Sequence, residues 1–317
     1  MKTNRKSFVA LVLVAIASTF LGACGKSPNA PSANPTPIPD PIRPVLVIQG
    51  NPAAPVSGTA TVNGRVYPVE NGQATLEVNT IGADVKIVVA GYLDRTVKVA
   101  GNNQNVELTY LIPGLDAEGY RYLAYRAPTG VNVGIRHARP NTAFLLQVAA
   151  DIWNDASAMN YVNGAVAGFN RLGASQGISL QAVLEGSASS PNSVRFYIDV
   201  SDPNLQGGAF WGVTSNNIDS AGFITGGSIV LYHMTAVRSR TSAHELGHSL
   251  GFWHSNNSSD LMYPGGSGQS FTDVETYVAG AMLRRAVKTS WVDADPGTLG
   301  AASLSVGAHI ETIVCGH

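Results

Sequence analysis

Charge is scarce in this chain. Asp, Glu, Lys and Arg make up 13% of its 317 residues, and the formal net charge is −1. So even a balance gives no electrostatic case for nucleic acid as a partner. Cysteine is scarcer: Cys24 and Cys315 are the only two, too few for a disulfide framework. The N-terminal apolar run, FVALVLVAIASTF (residues 8–20), is thirteen residues long and too short to span a bilayer comfortably. No internal repeat is evident. Against these absences stand 34 glycines and an ordinary apolar content of 44%. Low charge with abundant Gly, Asn, Ser and Thr suggests a β-rich exported protein. The length suffices for two modest domains and a sizeable core.

The N-terminus carries Lys2, Arg5 and Lys6 before the apolar run, the layout of a signal peptide. LGAC (residues 21–24) follows and resembles the lipobox of bacterial lipoproteins. That resemblance implies a signal peptide over residues 1–23 and a lipidated Cys24 as the first mature residue. It implies a lipid-anchored protein of the bacterial cell envelope, and Gly25 after the cysteine leans toward the outer membrane. Each buried acyl CH₂ contributes about 0.8 kcal/mol to such anchoring. A plain secretory signal cleaved near Ala23 is the alternative. Residues 24–44 read as a tether: seven prolines lie within residues 28–44, favouring extended polyproline II over about 50 Å. With Cys24 lipidated, Cys315 has no partner within the chain and reads as a free thiol. A zinc-blocking role for Cys315 is disfavoured, since IVCGH lacks the motif of inhibitory propeptides and lies at the wrong end of the chain.

Residues 45–112 read as a small all-β sandwich. Short β-branched runs (VLVIQ, TATV, RVYPV, DVKIVVAGY, NVELTYLI) are separated by Asn63-Gly64, Asn71-Gly72 and GNNQN turns. The pattern is similar to PEGA and carboxypeptidase-regulatory-like β-domains, which implies a spacer or adhesion module. From residue 115 to 292 the pattern predicts an α+β domain with a twisted mixed sheet and three helices. Strand candidates are 131–138, 178–184, 194–200 and 228–233. Helices are expected at 141–158, capped by Asn141, around the histidine cluster, and at 272–288, where Thr272 and Glu275 have capping-box spacing. Residues 159–177 are glycine-rich and give no clear signal. Residues 293–317 read as a C-terminal tail.

Three of the seven histidines fall in HELGHSLGFWH (residues 244–254). On a helix His244 and His248 share one face, four residues apart, and can reach one ion at about 2.0–2.1 Å. Glu245 is rotated by about 100° from His244. It therefore stands beside the ion, where a general base for water belongs. Gly251 can adopt the left-handed conformation that stops the helix and turns the chain back. His254 then returns as a third ligand. Three imidazoles leave one tetrahedral position open, the layout of a catalytic zinc site.

With SNNSSDLMYP following, the segment resembles the metzincin zinc peptidases and their H-E-x-x-H-x-x-G-x-x-H signature. Ser255 after the third histidine and LMYP at 261–264 look like the matrixin (matrix metalloprotease-like) branch. The resemblance spans roughly residues 116–290. It implies one catalytic zinc on His244, His248 and His254, Glu245 as general base, and Met262 as the Met-turn. It also implies Tyr263 and Pro264 in the wall of a substrate pocket, and Trp253 as a packing residue. No propeptide cysteine motif and no second-zinc cluster are found; His137 and His233 read as structural. Asp199 and Asp202 could supply oxygens to a calcium ion. The expectation is a monomeric zinc endopeptidase acting on extended polypeptides, with residues 226–235 as the rim that receives the substrate strand. The loop GGSGQS (residues 265–270) is expected to set side-chain preference. The alternatives are a surface adhesion lipoprotein whose β-domain carries the main function, and a zinc hydrolase of a non-peptide amide.

Overall fold

The computed structural model describes residues 43–51, 53–125, 134–201, 210–290, 292–298 and 307–316. The signal-peptide and lipidation readings, Cys24 included, lie outside them. So do Asp202, His317 and residues 131–133. No helix among the described residues is long and apolar enough to cross a membrane. The fold is mixed α+β.

The first half is all-β. Strands β1 (Val45–Asn51), β4 (Gln73–Thr75) and β7 (Gln104–Thr109) form one sheet in the order β4-β1-β7. Strands β2 (Gly58–Val62), β3 (Arg65–Val69), β5 (Asp84–Val88) and β6 (Arg95–Lys98) form the other, in the order β3-β2-β5-β6. Both sheets share one core, with Leu46, Ile48, Ala60, Val85, Ile87 and Leu108 fully buried. The β2–β3 hairpin turns on Asn63 and Gly64, both at positive φ, as Asn-Gly in a two-residue loop requires. One pairing is unusual for a chain of hairpins: β1 runs parallel to β7 over six register pairs, Leu46↔Gln104 to Asn51↔Thr109.

The second half is built on a six-stranded sheet. Its strands are β8 (Ala143–Val148), β9 (Ser179–Leu184), β10 (Ser193–Ile198), β11 (Phe210–Ile218), β12 (Ile224–Leu231) and β13 (His309–Gly316). They lie in the order β13-β11-β12-β10-β8-β9. Strands β9, β8, β10 and β12 are parallel, whereas β11 is antiparallel to β12 and β13 antiparallel to β11. Six helices occur among the described residues. They are α1 (Ala117–Ala124), α2 (Ala150–Trp153), α3 (Ala156–Gly173), α4 (Met234–Val237), α5 (Thr241–Leu250) and α6 (Asp273–Met282).

Several expectations are corrected. The helix expected at 141–158 is instead β8 followed by α2 and the start of α3. In AFLLQV every second residue (Phe144, Leu146, Val148) is buried between two parallel neighbours, and strand pairing overrides the helix-like spacing. The helix cap is Asp155, which accepts from Ala158 N at 2.8 Å, while Asn141 sits in a turn at φ 60°. Residues 134–138 form no strand. Residues 226–235 do not form the rim. Successive residues Ile229, Val230 and Leu231 are buried, as in an interior strand, and β12 is paired on both sides. Finally, residues 309–316 of the expected tail are strand β13. The last helix stops at Met282; its Thr272–Glu275 capping box is present.

The halves interlock through buried charge. Arg285 donates to Asp293 Oδ1 (2.9 Å) and to Thr109 Oγ1 (2.7 Å). Arg95 donates to the Asp293 carbonyl (2.8 Å) and to Asp295 Oδ1 (2.5 Å). The Tyr277 hydroxyl adds a bond to the Tyr110 carbonyl (2.7 Å).

Candidate metal centre

Helix α5 carries His244, Glu245 and His248, all with no solvent exposure. It ends at Gly251, whose φ is 118° and whose N–H returns to the Gly247 and His248 carbonyls. A Cβ at Gly251 would lie 2.0 Å from the Arg136 carbonyl oxygen, so both conformation and space call for glycine. The reversed chain brings back His254.

Backbone carbonyls orient the imidazoles. His244 Nδ1 donates to Leu261 O (2.7 Å) and His248 Nδ1 to Phe252 O (2.8 Å). With Nδ1 protonated, Nε2 carries the lone pair. His248 Nε2 lies 3.2 Å from His244 Nε2 and 3.2 Å from Cys315 Sγ, and His254 Nε2 lies 3.4 Å from the same sulfur. The four ligand atoms of His244, His248, His254 and Cys315 all lie within 4.8 Å of one another. For a tetrahedral ion with Zn–N and Zn–S bonds of ordinary length, ligand–ligand edges are about 3.3–3.6 Å. The donor set and its spacing fit one metal ion. It is the only such group of His, Cys, Asp and Glu among the described residues; the Asp199 carboxylate accepts from Ser201.

Glu245 lies beside this set. Thr214 Oγ1, on β11, donates to Glu245 Oε2 at 2.6 Å. Oε1 faces Gly212, where a Cβ would intrude to 2.3 Å. Burial pushes the Glu245 carboxyl up to about 7, against the lowering effect of the bonds from Thr214 and Cys315. Burial and the Glu245 carboxylate push the Cys315 thiol up as well. A divalent cation reverses this logic, because it favours the thiolate outright. Asn216, also on β11, donates to the His248 carbonyl at 2.9 Å. Thus Gly212, Thr214 and Asn216, alternate residues of one strand, all meet α5. None was singled out from the sequence; the alternation in WGVTSN is its one local signal.

Met262 is fully buried, its sulfur against Gly247 of α5. Its loop is held on both sides. Arg240 donates to the carbonyls of Leu261, Tyr263 (2.9 Å) and Gly268 (2.8 Å). Glu275 accepts from Met262 N (2.6 Å) and Thr272 N (2.8 Å). Ser255 bonds Asp260 Oδ2 at 2.5 Å. Tyr263 and Pro264 follow, half-buried. A cavity of about 620 Å³ lies between α3, the start of α5 and residues 269–271. It is lined by Tyr161, Arg171, Arg240, Ala243 and Phe271 and by neither Tyr263 nor Pro264. From the GGSGQS loop, Gln269 and Ser270 reach it. Trp253 packs under the Arg136 guanidinium, 3.7 Å from its ring centroid. His137 and His233 stand apart from the centre, one between the Ala138 and Arg285 carbonyls, the other capping α4.

The clearest departure from the sequence reading is Cys315. It is a free cysteine, as expected, but it is buried among the three histidines of the candidate metal centre. Compared with known proteins, the chain matches no family model, and no curated protein matches it.

Proposed function

We propose that this chain is a zinc-dependent endopeptidase of the matrixin-like metzincin type that cleaves extended polypeptides. The observation that carries the reading is the convergence of three imidazole Nε2 atoms with a buried carboxylate, Glu245, on the helix that carries two of them. The order of elements also supports it: a mixed sheet with a long helix, the histidine helix, a buried Met262 turn and a last helix.

When bound, zinc would supply a Lewis acid and a water of lowered pKa. His244, His248 and His254 would hold the ion, and Glu245 would act as the base that accepts a proton from the attacking water and hands it to the leaving amine. Thr214 holds the carboxylate toward the site at Oε2. The Leu261 and Phe252 carbonyls hold the imidazoles in the tautomer that presents Nε2. With β13 displaced, the outer edge of β11 would offer the substrate main-chain bonds, which selects extended chains.

The test is cleavage of an unstructured protein together with zinc content, in the Cys315→Ser background. One zinc per chain, with cleavage abolished by Glu245→Ala while zinc is kept, is the expected result. Zinc bound without cleavage, or release of single terminal residues only, would refute the endopeptidase. We also propose lipid anchoring at Cys24 in the bacterial envelope. Radiolabelled palmitate incorporated by the wild type and not by Cys24→Ala is the expected outcome.

A further inference from the structure

We infer that strand β13 is a built-in occupant of the peptide-binding edge and that Cys315, at its end, is a displaceable fourth metal ligand that keeps the centre closed. The inference rests on the metal and peptidase reading above and deepens it to regulation.

Two independent features point the same way. The first is position in the sheet. Strand β11 lies next to the histidine helix, and β13, itself the edge strand of the sheet, pairs along its outer side from Ile218↔His309 to Phe210↔Gly316. A substrate adding to this edge needs the N–H and C=O groups that β13 already uses. The second is the sulfur. Cys315 pairs with Gly212 and points inward, 3.2 Å from His248 Nε2 and 3.4 Å from His254 Nε2. Three imidazoles and one thiolate saturate a tetrahedral ion, and a saturated ion has no place for water or a substrate carbonyl.

The strand is fastened on its inner face. Glu311 forms an ion pair with the buried Arg136. Ile313 is fully buried against Trp253 and Cys315. On its other face Val314 packs against the cluster of Val213 and Val230, whereas Ile310 is 69% exposed. Opening needs no covalent chemistry. The thiolate leaves the ion, water takes its place, and β13 lifts from β11.

The experiment uses the full-length chain, with Cys24→Ala throughout so that Cys315 is the one cysteine, loaded with Co²⁺. The wild type is expected to show a sulfur-to-cobalt charge-transfer band and a thiol unreactive toward Ellman's reagent. Its visible spectrum is expected to stay unchanged on adding acetohydroxamate, a small bidentate metal ligand. In Cys315→Ala the band should vanish, the metal should remain near one per chain, and acetohydroxamate should shift the spectrum. Glu311→Arg sets two cations side by side and loosens the strand without touching a ligand. It should raise thiol reactivity and acetohydroxamate uptake at least ten-fold. Absence of the band in the wild type would overturn the inference, as would equal acetohydroxamate binding by wild type and Cys315→Ala. Loss of the metal from Cys315→Ala with Glu311→Arg unchanged from wild type would show a closed structural site and overturn it too. Opening by both variants, with no cleavage of protein by either, would uphold the closure and refute the peptidase reading alone.

Discussion

Glu275 is expected to govern how firmly the metal centre is framed, and Glu275→Gln tests this. Its Oε1 accepts from Met262 N at 2.6 Å, and its Oε2 accepts from Thr272 N at 2.8 Å and Leu261 N at 3.3 Å. An amide has one acceptor oxygen. With that oxygen on Met262 N, the NH₂ group faces the N–H donors of Thr272 and Leu261. Each buried donor left unpaired costs about 1–3 kcal/mol. Relief from burying a charge offsets some of this, so a loss of about 2–4 kcal/mol is expected. Urea unfolding of metal-free protein, followed by tryptophan emission, is the assay. All four tryptophans (Trp153, Trp211, Trp253 and Trp291) follow the β half in the chain. The pH dependence gives a second check. Burial raises the Glu275 carboxyl above its ordinary value of 4.5. The folded state therefore holds this proton more tightly than the unfolded state. Stability from the group is fully present below 4.5 and is lost as pH rises through the folded pKa. Glutamine has no such titration, so the gap between wild type and Glu275→Gln should be widest in acid and narrow as pH rises. A loss under about 0.5 kcal/mol, or a gap that widens with pH, would refute the reasoning.

Gly251→Ala combines backbone strain at φ 118° with a Cβ 2.0 Å from the Arg136 carbonyl. A loss of about 2–6 kcal/mol is expected, visible as a fall in Tm of roughly 10 °C, and an unchanged Tm would sink it. Thr214→Val removes the donor at 2.6 Å from Glu245. In the opened enzyme kcat should fall about 10–100-fold with KM little changed, which steady-state kinetics on a fluorogenic peptide would read. Arg95→Ala strips Asp295 of its buried partner and Asp293 of one of two. A loss of about 2–4 kcal/mol in urea unfolding is expected, with Arg95→Lys recovering some of it; an unmoved transition would show that the contact carries no stability.

The candidate metal ligands His244, His248 and His254 were legible because helix geometry and one glycine fix their positions within eleven residues. Residues of the β half were legible for a similar reason: Asn63-Gly64 and Asn71-Gly72 set hairpins locally. What escaped was decided by distant pairing. AFLLQV reads as helical in isolation and becomes β8 because β9 and β10 flank it. Thr214 and Asn216 are polar residues that lie inward only because α5 offers them a carboxylate and a carbonyl. Cys315 is sixty-one residues beyond His254, and nothing in IVCGH shows that its strand will lie beside β11. Strand register over such a distance is a tertiary property.

The parallel pairing of β1 with β7 has a mechanical consequence. The chain enters this half at Val45 and leaves it past Thr109 toward the half that carries the histidine cluster. Tension between those two points draws β1 backward and β7 forward along the same axis. The six register pairs are then loaded together in shear. A hairpin pulled at its open end would unzip bond by bond, whereas this arrangement must break its ladder at once. The β half is therefore shaped as a clip that keeps its grip under pull, and Arg95, Arg285 and Asp293 pass that load directly into the body that holds the metal centre.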